Sequence, residues 1–188
     1  MEETKPLAKP RVDWSRYATG ALVALLAGVL VYQGVGEARK AGLVKVGEDA
    51  PPIVGNTLAG QQFDLGALRG KAVVVDFWAT WCEPCRQEMP SLVALAREYR
   101  DRGAVLVMAN QIASDRPAAV GIFADRLMPD RPDNVHVVLA AEETLDQYRV
   151  QALPTTYVIN REGKIVDRFR GMTSESSLRD AMERALEP

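Results

Sequence analysis

The only two cysteines of the chain, Cys82 and Cys85, stand two residues apart between an apolar run and an amphipathic stretch. That placement constrains the fold more than any other feature. Ala72 to Trp78, AVVVDFW, is short, almost wholly apolar and rich in β-branched and aromatic residues, the pattern of a strand covered on both faces. After it Cys85, Met89, Leu92, Val93, Ala96 and Tyr99 recur at spacings of three and four, with Arg86, Gln87, Arg97 and Arg100 between them, which predicts a helix. Cys82 then falls at or just before the first turn, where unpaired backbone N–H groups and the helix dipole favour a thiolate. Cys85, one turn in, is the more buried, resolving thiol. Pro84 suits a first turn, and Pro90, further in, is expected to kink the helix.

Two carboxylates flank the pair. Glu88 follows Cys85 by three residues and shares its helical face, while Asp76 sits in the strand that delivers the cysteines. Either one, if buried, has a raised pKa and can exchange a proton with Cys85 during attack on a mixed disulfide. The plainer readings are a solvated helix charge for Glu88 and a structural hydrogen-bonder for Asp76.

The stretch Val75 to Cys85, VDFWATWCEPC, resembles thioredoxin-family active sites. With Glu88 after the Cys-Glu-Pro-Cys, it is similar to the membrane-anchored ResA and TlpA type, over about Gly47 to Leu186. The resemblance implies a thiol-disulfide oxidoreductase in which Cys82 attacks and Cys85 resolves, with no cofactor beyond that redox-active pair. It places Glu88 where the family has a helix glutamate near the thiols. Asp76 falls where thioredoxin has its buried aspartate but ResA-like sequences often carry asparagine, so the proton route stays open between the two acids. The resemblance also implies that Pro154 is a cis-proline beside the sulfurs. Such a bend turns the backbone of Leu153 outward to pair with an extended substrate. Trp81, Glu83, Pro84, Leu153 and Thr155 are the residues expected to meet that substrate.

Residues 17–36, YATGALVALLAGVLVYQGVG, are uncharged and about as long as the roughly 20 residues that span a bilayer core. Tyr17 and Tyr32 suit the interfaces. The reading is an uncleaved anchor, with residues 1–16 in the cytoplasm, 37–50 as a linker and 51–188 as one extracytoplasmic, periplasmic domain. A cleaved signal peptide is the rival, although the apolar run exceeds the usual 7 to 15 residues of a signal core.

Within the domain, Pro51 to Asp64 reads as a hairpin about Leu58-Ala59-Gly60, and Leu65 to Arg69 as a single turn. Strands follow at 104–110, 135–139, after Pro154, and 165–170. Helices follow at 115–127, capped by Ser114 or Asp115, at 142–148, and at 174–187. The helix and strand between 115 and 139 match an insertion that similar enzymes carry. The expected fold is therefore α/β: a thioredoxin-like mixed central sheet flanked by helices, with an N-terminal hairpin and one preceding transmembrane helix.

A net charge of minus two discourages nucleic-acid binding. His136 is the sole histidine, too little with two cysteines for a four-ligand structural zinc site. A thiol peroxidase would want threonine three residues before the attacking cysteine, where this chain has Ala79. A membrane-tethered metal-handling or binding module is the third class. Negative charge on Glu83 and Glu88 opposes a thiolate at Cys82, which predicts a reductant rather than an oxidant. The resemblance suggests cysteine pairs of apocytochrome c, or of a copper-carrying protein, as substrates, and a membrane thiol carrier as the source of electrons.

Overall fold

The computed structural model describes residues 20–30 and 42–187. Residues 20–30 are helical, and among the described residues no helix is long and apolar enough to cross a membrane. The two ends of the expected anchor, 17–19 and 31–36, lie outside the described residues, as do the expected cytoplasmic segment 1–16 and the start of the linker.

From residue 42 onward the chain forms a seven-stranded mixed sheet. Its strands are β1 (Val54–Thr57), β2 (Gln62–Asp64), β3 (Ala72–Trp78), β4 (Ala104–Gln111), β5 (Val135–Ala140), β6 (Thr155–Ile159) and β7 (Ile165–Arg170). They lie in the order β2-β1-β5-β4-β3-β6-β7. β3, β4 and β5 run parallel, and the others pair antiparallel. The four helices are α1 (Glu83–Glu98), α2 (Pro117–Leu127), α3 (Glu142–Gln147) and α4 (Glu175–Leu186). The mixed sheet, the N-terminal hairpin of β1 and β2, and the helix and strand between β4 and α3 agree with the expected architecture.

β3 is buried along its whole length, so its alternating side chains enter two separate cores. Val74 and Trp78 join Met89 and Leu92 of α1 and Leu178 and Met182 of α4 on one face. Val73, Val75 and Phe77 join Ile53, Phe63, Leu145, Tyr148 and Tyr157 on the other. Asp76 is in step with Val74 and Trp78, so its carboxyl enters the face that α1 covers. Gly103 adopts φ +85° where the helix run ends, a left-handed conformation that glycine takes without steric cost. α1 continues through Pro90, which has no N–H to return to the carbonyl of Arg86.

Two expectations need correction. The linker does not extend to residue 50, because Leu43 and Val44 are buried in the second core. Val44 N donates to the Tyr157 hydroxyl (3.3 Å), Tyr148 donates to the carbonyl of Pro51 (2.7 Å), and Gly47 N donates to Ile165 O (2.8 Å). The many charged and small residues around them mask these two apolar side chains in the composition. Second, neither Ser114 nor Asp115 caps α2. Arg116 occupies the cap position with no side-chain hydrogen bond, and Pro117 begins the helix with no N–H to satisfy.

Leu43, 2% exposed, tests the first correction. Replacing it with alanine is expected to lower the stability of the chain to urea by about 2–5 kcal/mol, the range for deleting a buried leucine side chain. An unchanged unfolding midpoint would return residues 43–50 to the role of a loose tether.

Candidate active site

β3 ends at Trp78, and the chain turns tightly over Ala79–Cys82, closed by Cys82 N donating to Ala79 O at 3.1 Å. Cys82 is the N-cap of α1, with extended backbone (φ −82°, ψ 100°), and its Sγ accepts from Cys85 N at 3.3 Å. The sulfur therefore stands where serine or aspartate oxygen stands in an ordinary cap, facing the unpaired amides of the first turn. Pro84 lies in that turn without removing a needed donor. Cys82 and Cys85 are joined in a disulfide (S–S 2.06 Å, Cα–Cα 5.3 Å). Cys82 keeps 4% of its surface and Cys85 none. Trp81, Glu83 and Pro84 around the opening are all exposed. Glu83 forms an ion pair with Arg86, so it opposes a thiolate on Cys82 less than its charge alone suggests.

Both acids are buried. Asp76 has no exposed surface, and its Oδ1 accepts from Thr156 Oγ1 at 3.1 Å. Glu88 is 7% exposed, and its Oε2 accepts from Thr173 N at 3.4 Å. Their other oxygens, Asp76 Oδ2 and Glu88 Oε1, find no donor elsewhere. The two carboxyls lie within each other's electrostatic reach, and burial of both favours a proton on one of them. Burial, and then the charge of Glu88, push the Asp76 carboxyl well above the usual range. Burial pushes Glu88 up to about 7, against the opposing pull of the Thr173 amide and of Asp76. The solvated-charge reading of Glu88 fails, and Asp76 is more than a partner for Thr156.

The Leu153–Pro154 peptide is cis. Thr155 pairs with Phe77 across the sheet, so Pro154 lies at the same end of β3 as the cysteine turn. Pro154 O accepts from Gly171 N at 2.8 Å. Leu153 packs against the core cluster that contains both cysteines, and its amide and carbonyl make no hydrogen bond among the described residues. Thr155 is fully buried and gives its hydroxyl to Ala152 O at 2.7 Å, so its side chain does not reach a substrate as expected. His136 lies on β5 against Phe63 (ring centroids 5.7 Å), a packing role. Among the described residues no three His, Cys, Asp or Glu side chains gather as a metal site needs.

The sequence reading missed several neighbours of the site. Asp115 Oδ2 accepts from Thr80 N (2.7 Å) and Asn110 Nδ2 (3.0 Å), and its Oδ1 from the Thr80 hydroxyl. Ser114 Oγ accepts from Trp81 Nε1 at 3.1 Å. Met172, 57% exposed, stands between Gly171, bonded to Pro154, and Thr173, bonded to Glu88. No local pattern marks these residues, which meet the site from 17 to 85 positions away.

Residues 45–185 match the Redoxin family model. The thiol-disulfide oxidoreductase ResA of Bacillus subtilis is 35% identical over 167 residues, covering 87% of this chain and 89% of that protein. ResA of Halalkalibacterium halodurans is 32% identical over 170 residues, with 90% and 93% covered. Among solved structures, a thiol:disulfide interchange protein of the thioredoxin family from Chlorobium tepidum superposes with a TM-score of 0.66 at 26% identity, covering 77% of this chain and 99% of that one. A disulfide at a helix N-terminus, with a cis-proline at the same end of β3 and a sheet of thioredoxin type, thus occurs in a chain akin to named oxidoreductases, and the protein belongs to the Redoxin family as a thiol-disulfide oxidoreductase.

Proposed function

We propose that the protein is an extracytoplasmic reductant of protein disulfides, tethered to the membrane by residues 17–36 and working through Cys82 and Cys85. The observation that carries the reading is the placement of Cys82 Sγ as the N-cap of α1, with Cys85 closed upon it and the buried acid pair behind. In the reduced enzyme the Cys82 thiolate attacks one sulfur of a substrate disulfide, forming a mixed disulfide and releasing a substrate thiolate. Cys85 then gives up its proton and attacks Cys82 Sγ. That step forms the Cys82–Cys85 disulfide and releases the second substrate thiolate, which takes up a proton. The unprotonated member of the Asp76–Glu88 pair is the acceptor for the Cys85 proton, Glu88 lying one turn along α1 from Cys85.

The direction of electron flow follows from the same acids. Carboxyls sharing the face of Cys85 penalise negative charge on its sulfur, which disfavours the dithiolate and favours the disulfide. A couple that favours its own disulfide reduces others. A substrate chain lies over the opening framed by Trp81, Glu83, Pro84 and Met172, and pairs in extended form with the free amide and carbonyl of Leu153. The resemblance suggests cysteine pairs of apocytochrome c as the substrate and a thiol carrier in the membrane as the source of electrons. Support for the tether is the uncharged composition of residues 17–36 and the helical conformation of 20–30 within it.

Two outcomes are expected. Replacing Cys85 with serine removes the resolving thiol, so the variant accumulates a mixed disulfide through Cys82 with its cellular substrate, isolated by non-reducing electrophoresis and mass spectrometry. Adducts absent from the Cys85→Ser variant, or formed equally by a Cys82→Ser variant, would remove Cys82 as the attacking group. The second outcome concerns Glu88, whose folded value of about 7 lies above its ordinary 4.5. The unfolded chain releases this proton first, so the stabilisation is complete below about 4.5 and is lost as pH rises through about 7. Thermal unfolding of the oxidised protein is therefore expected to move to lower temperature across that interval, and to move less in Glu88→Gln. Parallel profiles for the two proteins would show that Glu88 titrates normally.

A further inference from the structure

We infer that Asp115, with Ser114 beside it, is the positioning group of the active-site turn: it holds Thr80 and Trp81, and through them presents Cys82 to the substrate. The inference rests on the exchange chemistry proposed for Cys82.

The ends of the turn are fixed, Ala79 and Cys82 by burial and Cys82 O by the Arg86 amide (3.2 Å), but Thr80 and Trp81 between them are not buried. One backbone hydrogen bond, Cys82 N to Ala79 O, closes it. Trp81 is 59% exposed, so packing alone does not fix its indole. Asp115 reaches this turn with both carboxylate oxygens, taking the Thr80 amide on one and the Thr80 hydroxyl on the other. The same carboxylate accepts from Asn110, which is fully buried at the end of β4 opposite Trp78. The clamp is therefore mounted on β4, the middle strand of the sheet. Ser114 gives its hydroxyl to Gln111 O (3.2 Å) and receives the Trp81 indole N–H, so the residue next to Asp115 fixes the residue next to Thr80.

An ordinary structural duty does not account for Asp115. It stands one residue before the cap position of α2, which Arg116 occupies without a side-chain hydrogen bond, so it does not cap the helix. Its oxygens are committed to the turn instead. The clamp matters most when the disulfide is open. In the oxidised enzyme the Cys82–Cys85 bond itself ties the turn to α1. In the dithiol and in the mixed disulfide that tie is gone, and the position of Cys82 depends on its cap contact, on the Arg86 amide that its carbonyl accepts, and on the hold at Thr80 and Trp81.

The test is steady-state reduction of two probes by the full chain, insulin disulfides and the small aromatic disulfide 5,5′-dithiobis(2-nitrobenzoate). Asp115→Ala is expected to lower kcat/KM for both probes about tenfold, the rate equivalent of one charge-assisted hydrogen bond. Asp115→Asn is expected to recover most of this, because its amide oxygen still accepts from Thr80 N. That same oxygen still accepts from Asn110 Nδ2, and the NH₂ at the other position can donate to the Thr80 hydroxyl oxygen. Ser114→Ala is expected to raise KM for insulin and leave the small probe unaffected, since it loosens only the Trp81 wall. If Asp115→Ala does not fold, Thr80→Val carries the test, deleting the hydroxyl contact for an expected loss of about threefold on both probes. Wild-type kcat/KM in Asp115→Ala, or in Thr80→Val where that variant stands in, would overturn the inference. So would Asp115→Asn as impaired as Asp115→Ala, which would assign the effect to charge rather than to positioning. A wild-type chain inactive on both probes would instead sink the exchange reading itself.

Discussion

The structure depends on a sulfur doing the work of a helix cap. Cys82 Sγ accepts from Cys85 N at the start of α1, so the group that satisfies the helix end is also the sulfur proposed to attack the substrate. A helix N-terminus attracts negative charge through its unpaired amides, and a thiolate there is stabilised without any cation. The fold supplies this end at a fixed place because β3, buried on both faces, stops abruptly and the turn of Ala79–Cys82 leads straight into the helix.

Behind the helix end the environment has the opposite character. Asp76 and Glu88 place two carboxyls in the core face beneath Cys85, where burial keeps at least one proton between them. Favour for a thiolate at the mouth and penalty for a second anion inside separate the two cysteines in role, although they are three residues apart. The same separation disfavours the dithiolate, which is the basis on which we propose a reductant. Asp115 and Thr173 bring backbone and side-chain contacts from distant segments to each side of this centre.

Much of this was legible in the sequence, and the reasons are local. β3 and α1 announce themselves by composition and period, and the turn at Leu58–Gly60, the stop at Gly103 and the bend at Pro154 are marked by residues with restricted or unusual backbones. The acids could be named because they share a strand or a helical face with the cysteines. Their interaction with each other could not, since it joins a strand to a helix through the core. Leu43 and Val44 were hidden by charged neighbours. Thr155, next to Pro154, reads as a substrate contact, but β6 is buried throughout and its side chain turns inward. Asp115 has the sequence signature of a helix cap near a proline-initiated helix, and only the tertiary fold shows that Arg116 takes the cap position and that Thr80 claims the carboxylate.

The most direct test of the account is competitive alkylation of the fully reduced protein with iodoacetamide across pH, with the two cysteines resolved by mass spectrometry. Modification of Cys82 should come first and persist below the ordinary thiol pKa of roughly 8.5, while Cys85 stays protected until far more alkaline pH. Equal rates at the two sulfurs, or Cys85 reacting first, would contradict the division of roles on which the mechanism is built.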